Sequence, residues 1–358
     1  MSETASGRRP DIDVVVPVHR ADRPLGRAVE SALSGARSAT VRVTVVCHGI
    51  PASAIAPLVE GRQEVRILEC ADPRPSAAGP ANVGFAAATA EYVSRLDSDD
   101  TFEAGALDAW HAQARRNRSD VLVAPLRPED GRPIHAPLTR PFRHRRLDGV
   151  RDRLSYRTAP FGLIRRDALP DPAAPYTPGL EVGEDLELGI RLWFGGGRID
   201  FAAGRPAYVV HDDAVQRTTL VVRPVESELA ASRRLVRLAW FHELDAAARR
   251  AVVIKLARIH VLGALRNRIA GAGFDDADRT SFTTLLDEFD RASASWRRPF
   301  NRYDSRILEL LRHGDPEAAR EAASAPPRRV DTLLAPSMRG TLDRESTLRR
   351  YARYLLPV

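Results

Sequence analysis

The sequence predicts an α/β protein with a Rossmann-like, mostly parallel central sheet, followed by a helical C-terminal region. Two observations carry this prediction. Strand-like apolar runs alternate with helix-like segments through the first half of the chain, which is typical of a parallel sheet covered by helices. Beyond about residue 225, long helical patterns dominate. We therefore expect a flexible tail over residues 1–10, an α/β domain over 11–222 and a helical region over 223–358.

The elements of the first half follow in order. The β-branched run Asp13–Val18 has the composition of a strand that is buried on both faces. Apolar residues then recur at helical spacing up to Gly35, a plausible helix stop. The same patterns predict further strands and helices in alternation: strands over 41–47, 65–68, 92–96 and 121–126, and helices over 24–35, 81–90 and 103–117.

The second half is less regular at first. Residues 127–158 are rich in Pro and Arg and are interpreted as an irregular insertion. Order returns at 161–166, and a helix after Gly183 is ended by the three glycines at 195–197. The remaining segments are predicted from their spacing: short strands over 199–202 and 207–210, and helices over 228–240, 246–269, 278–294 and 305–312.

Composition narrows the function classes. The chain has 358 residues, of which 44% are hydrophobic, which is enough for a sizeable core. No run approaches the roughly 18 to 20 apolar residues of a membrane span, and residues 1–10 lack a signal-peptide core, so a cytoplasmic protein is expected. The two cysteines, Cys47 and Cys70, form no recognisable framework and fit a reducing compartment.

The charge balance favours anionic ligands. The formal net charge is +7, which suits phosphate-bearing ligands, anionic polymers or an acidic membrane surface. No nucleic-acid-binding motif accompanies it, so no nucleic-acid partner is expected. Two arginine clusters, within 140–153 and 344–353, are interpreted as solvated charged faces. The basic, apolar helix around 255–268 fits either a bundle helix or peripheral contact with the inner face of an anionic membrane.

Three carboxylates follow the predicted strand that ends at Leu96. Asp97, Asp99 and Asp100 stand within four positions, and such crowding of like charge is unfavourable unless something cationic compensates. A divalent metal or a metal-bound phosphate is the natural occupant. The alternative is a solvated acidic turn that caps a helix starting near Phe102. The predicted strands at 13–18 and 41–47 end at the same edge of the sheet, where ligands of such folds bind.

Several ordered segments carry a family resemblance. Val14–Val18, Gly79–Gly84 and Glu91–Asp100 occur in the order seen in the nucleotide-sugar-binding half of family 2 glycosyltransferases, which are inverting enzymes with the A-type fold. Downstream, Phe161–Arg166 resembles the segment before the acceptor site, and Gly183–Leu188 resembles the family's Glu-Asp catalytic element. His211 stands where the family often has a late metal-binding histidine.

The resemblance implies roles for individual residues. Asp99 would bind Mn²⁺ or Mg²⁺, with His211 completing the metal shell, and Asp185 would be the base that takes the acceptor hydroxyl proton, with Glu184 holding a hydroxyl. Asp100 is assigned to the helix cap. The remaining assignments are contacts to the nucleotide-sugar donor: Pro17, Val18, His19, His48, Asn82, Asp97, Ser98 and Arg217.

Two features leave alternatives open. Where the family often has a base-recognising acid after the second strand, this chain has Val46-Cys47-His48, so His48 or a backbone carbonyl would substitute, and a UDP-sugar remains the first choice of donor. Glu184, Asp185 and Glu187 also suit the first turn of a helix, where acids complement the helix dipole.

Three function classes follow from these observations. The leading one is a metal-dependent hexosyl- or N-acetylhexosaminyl-transferase that acts on a cell-envelope polysaccharide or a related glycan. The second is a catalytically silent relative that serves as a binding or scaffold protein. The third, nucleotidyl transfer, would require a glycine-rich phosphate loop after the first strand, and Pro17–Asp22 contains no glycine. The C-terminal region would dock the acceptor, mediate self-association or contact a membrane.

Overall fold

The computed structural model describes residues 9–131, 134, 136–213, 223–269 and 273–356. They form two compact units. The first, here called the sheet unit, comprises the described residues up to 139 together with 143–148 and 157–213. The second, the helical unit, comprises 140–142, 149–156 and the described residues from 223 onward. The predicted tail lies largely outside the described residues, and so does the predicted boundary at 222.

The strands of the sheet unit are short and mostly apolar. In chain order they are β1 (Ile12–Val18), β2 (Val41–His48), β3 (Val65–Cys70), β4 (Tyr92–Arg95), β5 (Thr101–Phe102), β6 (Val121–Val123), β7 (Leu126–Pro128), β8 (Gly162–Arg165), β9 (Ile199–Phe201) and β10 (Tyr208–Val210).

Seven of these strands form the central sheet in the order β3-β2-β1-β4-β8-β6-β9. All of its pairings are parallel except those of β8, which runs antiparallel to both β4 and β6. β5, β10 and β7 form a second, three-stranded sheet. The predicted strand over 121–126 is therefore two strands, β6 and β7, which belong to different sheets. This mostly parallel architecture agrees with the predicted fold class.

The sheet unit's helices are α1 (Leu25–Ser34), α2 (Ala52–Ile55), α3 (Ala78–Ala86), α4 (Ala106–Asn117) and α5 (Leu186–Phe194). Short 3₁₀ turns follow at Ala56–Val59 and Arg166–Ala168.

Two glycines show how closely the backbone packs here. A Cβ on Gly84 of α3 would lie 2.3 Å from Val15 Cγ1 of β1, so only glycine lets this helix approach the sheet. Gly162 opens β8 with φ near +134°, and a Cβ there would meet the Leu122 carbonyl oxygen. Both glycines belong to segments that the sequence singled out, and both have packing reasons to be there. Cys47 and Cys70, at the ends of β2 and β3, are free and buried.

The helical unit is built almost entirely of helices. They are α6 (Val225–Arg237), α7 (Ala239–Glu243), α8 (Ala246–Lys255), α9 (Leu262–Arg266), α10 (Asp276–Ala292), α11 (Arg302–Arg312), α12 (Pro316–Ser324), α13 (Arg329–Leu333), α14 (Met338–Thr341) and α15 (Thr347–Tyr354). A π-helical stretch, Leu256–Val261, joins α8 to α9. The predicted helix over 246–269 is therefore interrupted by a change of helical pitch, and a 3₁₀ turn at Leu154–Tyr156 also belongs to this unit.

The helix around 255–268 is an interior bundle helix. Val261, Leu262 and Leu265 are at most 1% exposed, and Arg268 pairs with Glu228 at 3.2 Å. Its apolar face therefore packs against protein, which makes the bundle interpretation the observed one. Among the described residues, no helix combines the length and the apolar content that crossing a bilayer requires.

The arginine cluster within 140–153 is partly structural. Arg140 pairs with the fully buried Asp152 at 2.8 Å, and Arg153 pairs with Glu345 at 3.2 Å, all inside the helical unit. The predicted solvated face is therefore wrong for these two arginines, because each one compensates a buried acid. Residues 127–158 are thus divided between the two units rather than forming a separate lobe.

Candidate active site

Several predicted site residues lie where three parallel strands end. β1 pairs with both β2 and β4, so the carboxyl ends of all three strands meet at one edge. Pro17 and Val18 are opposite Val46 and Cys47 in that register. His19 comes next and is exposed overall. Partial desolvation of its ring lowers its pKa, and the nearby charges of Arg23, Arg20 and His48 act in the same direction. This edge therefore brings together the histidines that follow β1 and β2.

A buried guanidinium connects the two acidic motifs. Arg95, the last residue of β4, donates from Nε to Asp97 Oδ1 at 2.9 Å and from Nη1 to Glu184 Oε1 at 3.1 Å. Its Cζ lies 5.1 Å from the centre of the Tyr176 ring. Burial alone would lower the pKa of Arg95, but Asp97, Tyr176, Glu184 and Asp185 raise it well above its ordinary value. The aspartate motif after β4 and the Glu-Asp element thus share one cation.

Asp185 occupies the residue before α5 but does not cap it. Its backbone is helical, and its side chain makes no capping hydrogen bond with the first turn. Instead, Asp185 and Glu184 help to raise the pKa of Tyr176, which burial raises most, while Arg95 opposes them. Asp185 thus stands at the helix N-terminus and also acts electrostatically on Arg95 and Tyr176.

Asn82 positions the residue that stacks against Arg95. Its amide nitrogen donates to the Tyr176 carbonyl at 2.9 Å, and its amide oxygen accepts from the Tyr176 backbone N–H at 2.9 Å. Asn82, a predicted donor-binding residue, thus binds both backbone polar groups of Tyr176, which lies 94 positions away in the chain. Tyr176 in turn packs edge-on against Phe85 of α3, with ring centres 5.3 Å apart.

Asp99 faces two arginines of the segment after β1. Arg23 Nη1 lies 3.2 Å from Asp99 Oδ2, and Arg23 Nε donates to Ser98 Oγ at 3.3 Å. Arg27 Nη2 donates to the Asp99 carbonyl oxygen at 2.7 Å and also pairs with Asp213. The buried Asp99 carboxylate is thus compensated by a cation, as the crowding of acids predicted, but the cation here is a guanidinium.

Asp100 is not a helix cap, which corrects the prediction. α4 begins at Ala106 with Gly105 as its N-cap. The buried Asp100 accepts from the Tyr208 hydroxyl at 2.8 Å and from the His211 backbone N–H at 3.0 Å. Burial and Asp97 raise its pKa to about 7 against those two hydrogen bonds. Asp100 therefore ties the aspartate motif to β10 and to the residue that follows it.

Tyr208 is the centre of this connection. Its hydroxyl also accepts from the Asp97 backbone N–H at 3.1 Å, and its ring stacks on Phe161 with centres 4.3 Å apart. Burial raises the pKa of Tyr208 well above its ordinary value, with Asp97 and Asp100 acting in the same direction. The phenol therefore stays protonated and can donate to Asp100 while it accepts from Asp97.

His211 is buried beside the aspartate motif. Its Nε2 lies 2.9 Å from Thr101 Oγ1, and its Nδ1 lies 3.3 Å from Glu129 Oε2. Within the described ranges, no three His, Cys, Asp or Glu side chains converge in a way that could hold a metal ion. Mg²⁺ is commonly held by one or two carboxylates together with substrate phosphates. Asp99 pairs here with Arg23, and His211 contacts Thr101 and Glu129, so a metal held by Asp99 and His211 stays a prediction.

His48 has a defined proton position. Its Nε2 lies 2.7 Å from the Asp72 carbonyl oxygen. A carbonyl can only accept, so Nε2 carries the proton, and Nδ1 of the neutral ring is left as an acceptor. Of the predicted donor-binding residues, Arg217 lies outside the described residues. The others line the edge formed by β1, β2 and β4 or, for Asn82, adjoin the Arg95 cluster.

The residues that sequence reasoning missed are mostly cations and a phenol. Arg95, Arg23 and Arg27 each contact a predicted site residue, and Tyr208 contacts Asp97 and Asp100. One signal was available for Arg95, because a charged residue inside an otherwise apolar strand needs a buried partner. Tyr208 gave no such signal, since a tyrosine in a short strand is ordinary.

Comparison with known proteins places these observations among relatives. Residues 13–171 match the family model described as Glycosyl transferase family 2. No curated protein matches the chain. Solved structures that match include S. aureus TarS 1-349 in complex with UDP-GlcNAc, with a TM-score of 0.70 and 16% identity over 87% of this chain and 90% of that one. The same fragment in complex with UDP matches with a TM-score of 0.67 at 16% identity and the same coverage.

The longer S. aureus TarS structure matches with a TM-score of 0.66 at 17% identity, covering 87% of this chain and 54% of that one. At this level of identity, the likeness shows a shared fold. The predicted fold class, an α/β sheet domain followed by a helical region, is confirmed. The predicted resemblance to family 2 is confirmed as well, over the segment that contains the aspartate motif.

Proposed function

Since residues 13–171 match the family model described as Glycosyl transferase family 2, we propose that this chain moves a sugar from a nucleoside diphosphate donor to a hydroxyl group, with inversion at the anomeric carbon. The family assignment confirms the predicted enzyme class, a glycosyltransferase. One observation carries the finer proposal: the Arg95 guanidinium contacts both Asp97 and Glu184, with Asp185 beside it. Asp97 of the aspartate motif and Glu184 and Asp185 of the Glu-Asp element therefore lie around the Arg95 guanidinium.

Asp185 is the proposed general base. Inversion requires a group on the face opposite the leaving diphosphate that takes the proton of the attacking hydroxyl, and an ionised carboxylate within hydrogen-bond reach suffices. Asp185 lies close enough to the Arg95 guanidinium to help raise the pKa of that arginine. Glu184, held by Arg95, would accept a hydrogen bond from a sugar hydroxyl. Asp97 would contact the ribose or the sugar of the donor.

We propose that a divalent cation, Mn²⁺ or Mg²⁺, is held by Asp99 and His211 when the donor binds. When bound, it would supply neutralisation of the charge that develops on the departing diphosphate. From the segment after β1, Arg23 reaches the Asp99 carboxylate and Arg27 reaches the Asp99 carbonyl oxygen. These guanidiniums can hydrogen-bond phosphate oxygens, so the side chains themselves contribute to diphosphate binding.

We further propose that His48 reads the nucleobase. Uracil has an N3–H donor and needs a hydrogen-bond acceptor. The end of β2, where the family often has an acidic residue, has none in this chain. The free Nδ1 of His48, which is set by the Nε2 contact to the Asp72 carbonyl, supplies that acceptor. Two of the structural neighbours carry UDP or UDP-GlcNAc, which supports a uridine nucleotide as the donor class.

The acceptor that we propose is a hydroxyl of a cell-envelope polysaccharide or a related glycan. Incubation with a panel of nucleotide sugars and Mn²⁺ or Mg²⁺ tests the reaction class. We expect slow release of the nucleoside diphosphate, with a uridine donor preferred and a chelator abolishing turnover. Release of pyrophosphate would instead indicate nucleotidyl transfer. Donor binding with no turnover on any acceptor would indicate a silent relative.

The nucleobase proposal has its own test. The wild-type protein should bind UDP about three- to tenfold more tightly than N3-methyl-UDP, which lacks the donated hydrogen. The His48→Phe variant should bind both ligands equally, because its ring has no acceptor. A wild-type protein that binds the two ligands equally would contradict this role for His48, whatever the result of the turnover assay.

A further inference from the structure

The exposed apolar side chains among the described residues are concentrated in one segment of the chain, in which α13 and α14 both contact α15. Of the twelve large apolar side chains that are exposed among the described residues, eight lie between residues 330 and 356. We call these eight the 330–356 patch: Val330, Met338, Leu342, Leu348, Tyr351, Tyr354, Leu355 and Leu356. Scattered single exposures are normal on protein surfaces, but a local concentration of this kind marks an interaction site.

Helix α15 is oriented with its apolar face outward. Leu348, Tyr351 and Leu355 recur at helical spacing and are 38%, 59% and 86% exposed. The arginines on the other side face protein: the Arg350 guanidinium lies 3.9 Å from the centre of the Tyr156 ring, and Arg353 is 6% exposed. An amphipathic helix normally buries its apolar stripe. The reverse arrangement presents that stripe to a partner.

The charge around the patch is one-sided. Between 326 and 356 the chain has seven arginines and three acids. The three acids pair with arginines of the helical unit outside these residues: Asp331 with Arg302, Asp343 with Arg250 and Glu345 with Arg153. By contrast, the arginines in the same helices and loops that are themselves exposed are Arg328, Arg329, Arg339 and Arg349. The surface beside the apolar side chains is therefore cationic.

Exposed apolar side chains together with exposed arginines favour one kind of binding partner for the 330–356 patch. A second copy that docked by the same patch would bring arginines against arginines, and the acids that could pair with them are already engaged within each copy. A soluble polyanion would satisfy the arginines and leave the leucines in water. An anionic bilayer satisfies both, because its headgroups attract arginine while its interface accepts Leu, Met and Tyr side chains.

We propose that the 330–356 patch docks the protein on the surface of an anionic membrane, with Met338, Tyr351 and Leu355 entering the interface and Arg339 and Arg349 contacting headgroups. The helices here are too short to cross a bilayer, so the association is peripheral and reversible. The proposal concerns a surface of the helical unit and does not depend on the reaction proposed above.

Flotation of the whole protein with vesicles tests this proposal. We expect binding to vesicles of equal parts phosphatidylglycerol and phosphatidylcholine, weakened by salt, and little binding to phosphatidylcholine alone. The Met338→Ser/Tyr351→Ser/Leu355→Ser variant should lose about tenfold or more in partitioning. The Arg339→Gln/Arg349→Gln variant should lose about fivefold for each arginine.

Two control variants match these changes elsewhere. Ile259→Ser removes a 46% exposed apolar side chain from the helical unit, and Arg116→Gln removes an exposed arginine from α4. Both should partition as the wild type does, and thermal unfolding midpoints close to the wild-type value would show that all variants are folded. Equal binding to both vesicle types would overturn the proposal. So would a dimer in sedimentation that the triple serine variant dissolves, or binding that only the arginine variant weakens.

Discussion

Arg95 in the sheet unit and Lys255 in the helical unit differ in the kind of side chain that each contacts. In the sheet unit, Arg95 contacts Asp97 and Glu184 at 2.9 and 3.1 Å and has Asp185 nearby. In the helical unit, Lys255 is fully buried at the end of α8, and its Nζ lies 2.7 Å from His260 Nε2. The first cation faces acids, whereas the second contacts a base.

The difference follows from what each side chain can do when water is removed. A guanidinium keeps its proton in a protein, so a buried arginine requires acceptors, either carboxylates as at Arg95 or backbone carbonyls as at Arg157. An amine can become neutral when it is buried, and a neutral amine and a neutral imidazole can share a hydrogen bond. Lys255 is the only lysine in a chain whose other basic residues, histidines aside, are all arginine. The comparison therefore separates an arginine that contacts acids from a lysine that contacts an imidazole.

The largest expected effect comes from removing the cation of the site. In Arg95→Met, three acids face one another without compensation, and breaking a buried ion pair costs about 3–5 kcal/mol. Because Arg95, Asp97 and Glu184 are partly exposed, we expect the free energy of unfolding of the sheet unit to fall by no more than that amount, and sugar transfer to be lost. Chemical denaturation and a transfer assay measure the two losses. Arg95→Lys keeps the charge and should recover more stability than activity, because an ammonium lacks the fork that reaches two carboxylates.

Substitutions of Asp185 and Glu184, the two neighbouring acids near Arg95, should lower turnover by different amounts. Asp185→Asn should lower turnover about 10²- to 10⁴-fold, the usual contribution of a positioned general base, with donor affinity nearly unchanged. Glu184→Gln keeps its shape and hydrogen-bonding oxygen and should cost less in turnover. Thermal unfolding should show both variants folded. Undiminished transfer by Asp185→Asn would contradict its proposed role as the base.

Much of the fold could be predicted from local sequence. The segments that form β1 and β2 are rich in β-branched residues, so their burial on both faces could be predicted from each segment alone. The division of 121–126 into β6 and β7 could not be predicted, because Leu126 leaves the central sheet to pair with Tyr208 of β10. The antiparallel direction of β8 has the same cause, since it depends on neighbours distant in the chain.

In the candidate site, too, the contacts between residues distant in the chain could not be predicted. The acidic motifs could be recognised because each lies within a few consecutive residues. Their meeting at Arg95 spans 89 positions, and the bond between Tyr208 and Asp100 spans 108. Asp100 looks like a good helix cap by composition, yet a tyrosine from another strand engages it. Local preference was overruled there by tertiary contact.

The pair of Lys255 and His260 should tolerate loss of its amine. Lys255→Met keeps the length of the side chain and removes the need to desolvate an ammonium, and such replacements of buried charge by apolar residues are often neutral or stabilising. We expect the unfolding free energy of the helical unit to stay within about 1 kcal/mol of the wild-type value or to rise. A loss comparable to that of Arg95→Met would show that the fold depends on the Lys255 amine as it does on Arg95, and would contradict the comparison.

The smallest effect is a dependence of stability on pH. Burial and the neighbouring Lys255 lower the pKa of His260 well below its ordinary value of 6.5. The unfolded chain therefore binds a proton near pH 6.5 that the folded protein resists, and stability is lost as the pH falls below that value, by at most about 1.4 kcal/mol per pH unit. His260→Asn should remove this part of the slope when unfolding midpoints are compared between pH 7.5 and pH 5.5. Lys255→Met should reduce it, because one cause of the lowered pKa is gone. An unchanged slope in His260→Asn would show that this pair does not contribute to acid sensitivity.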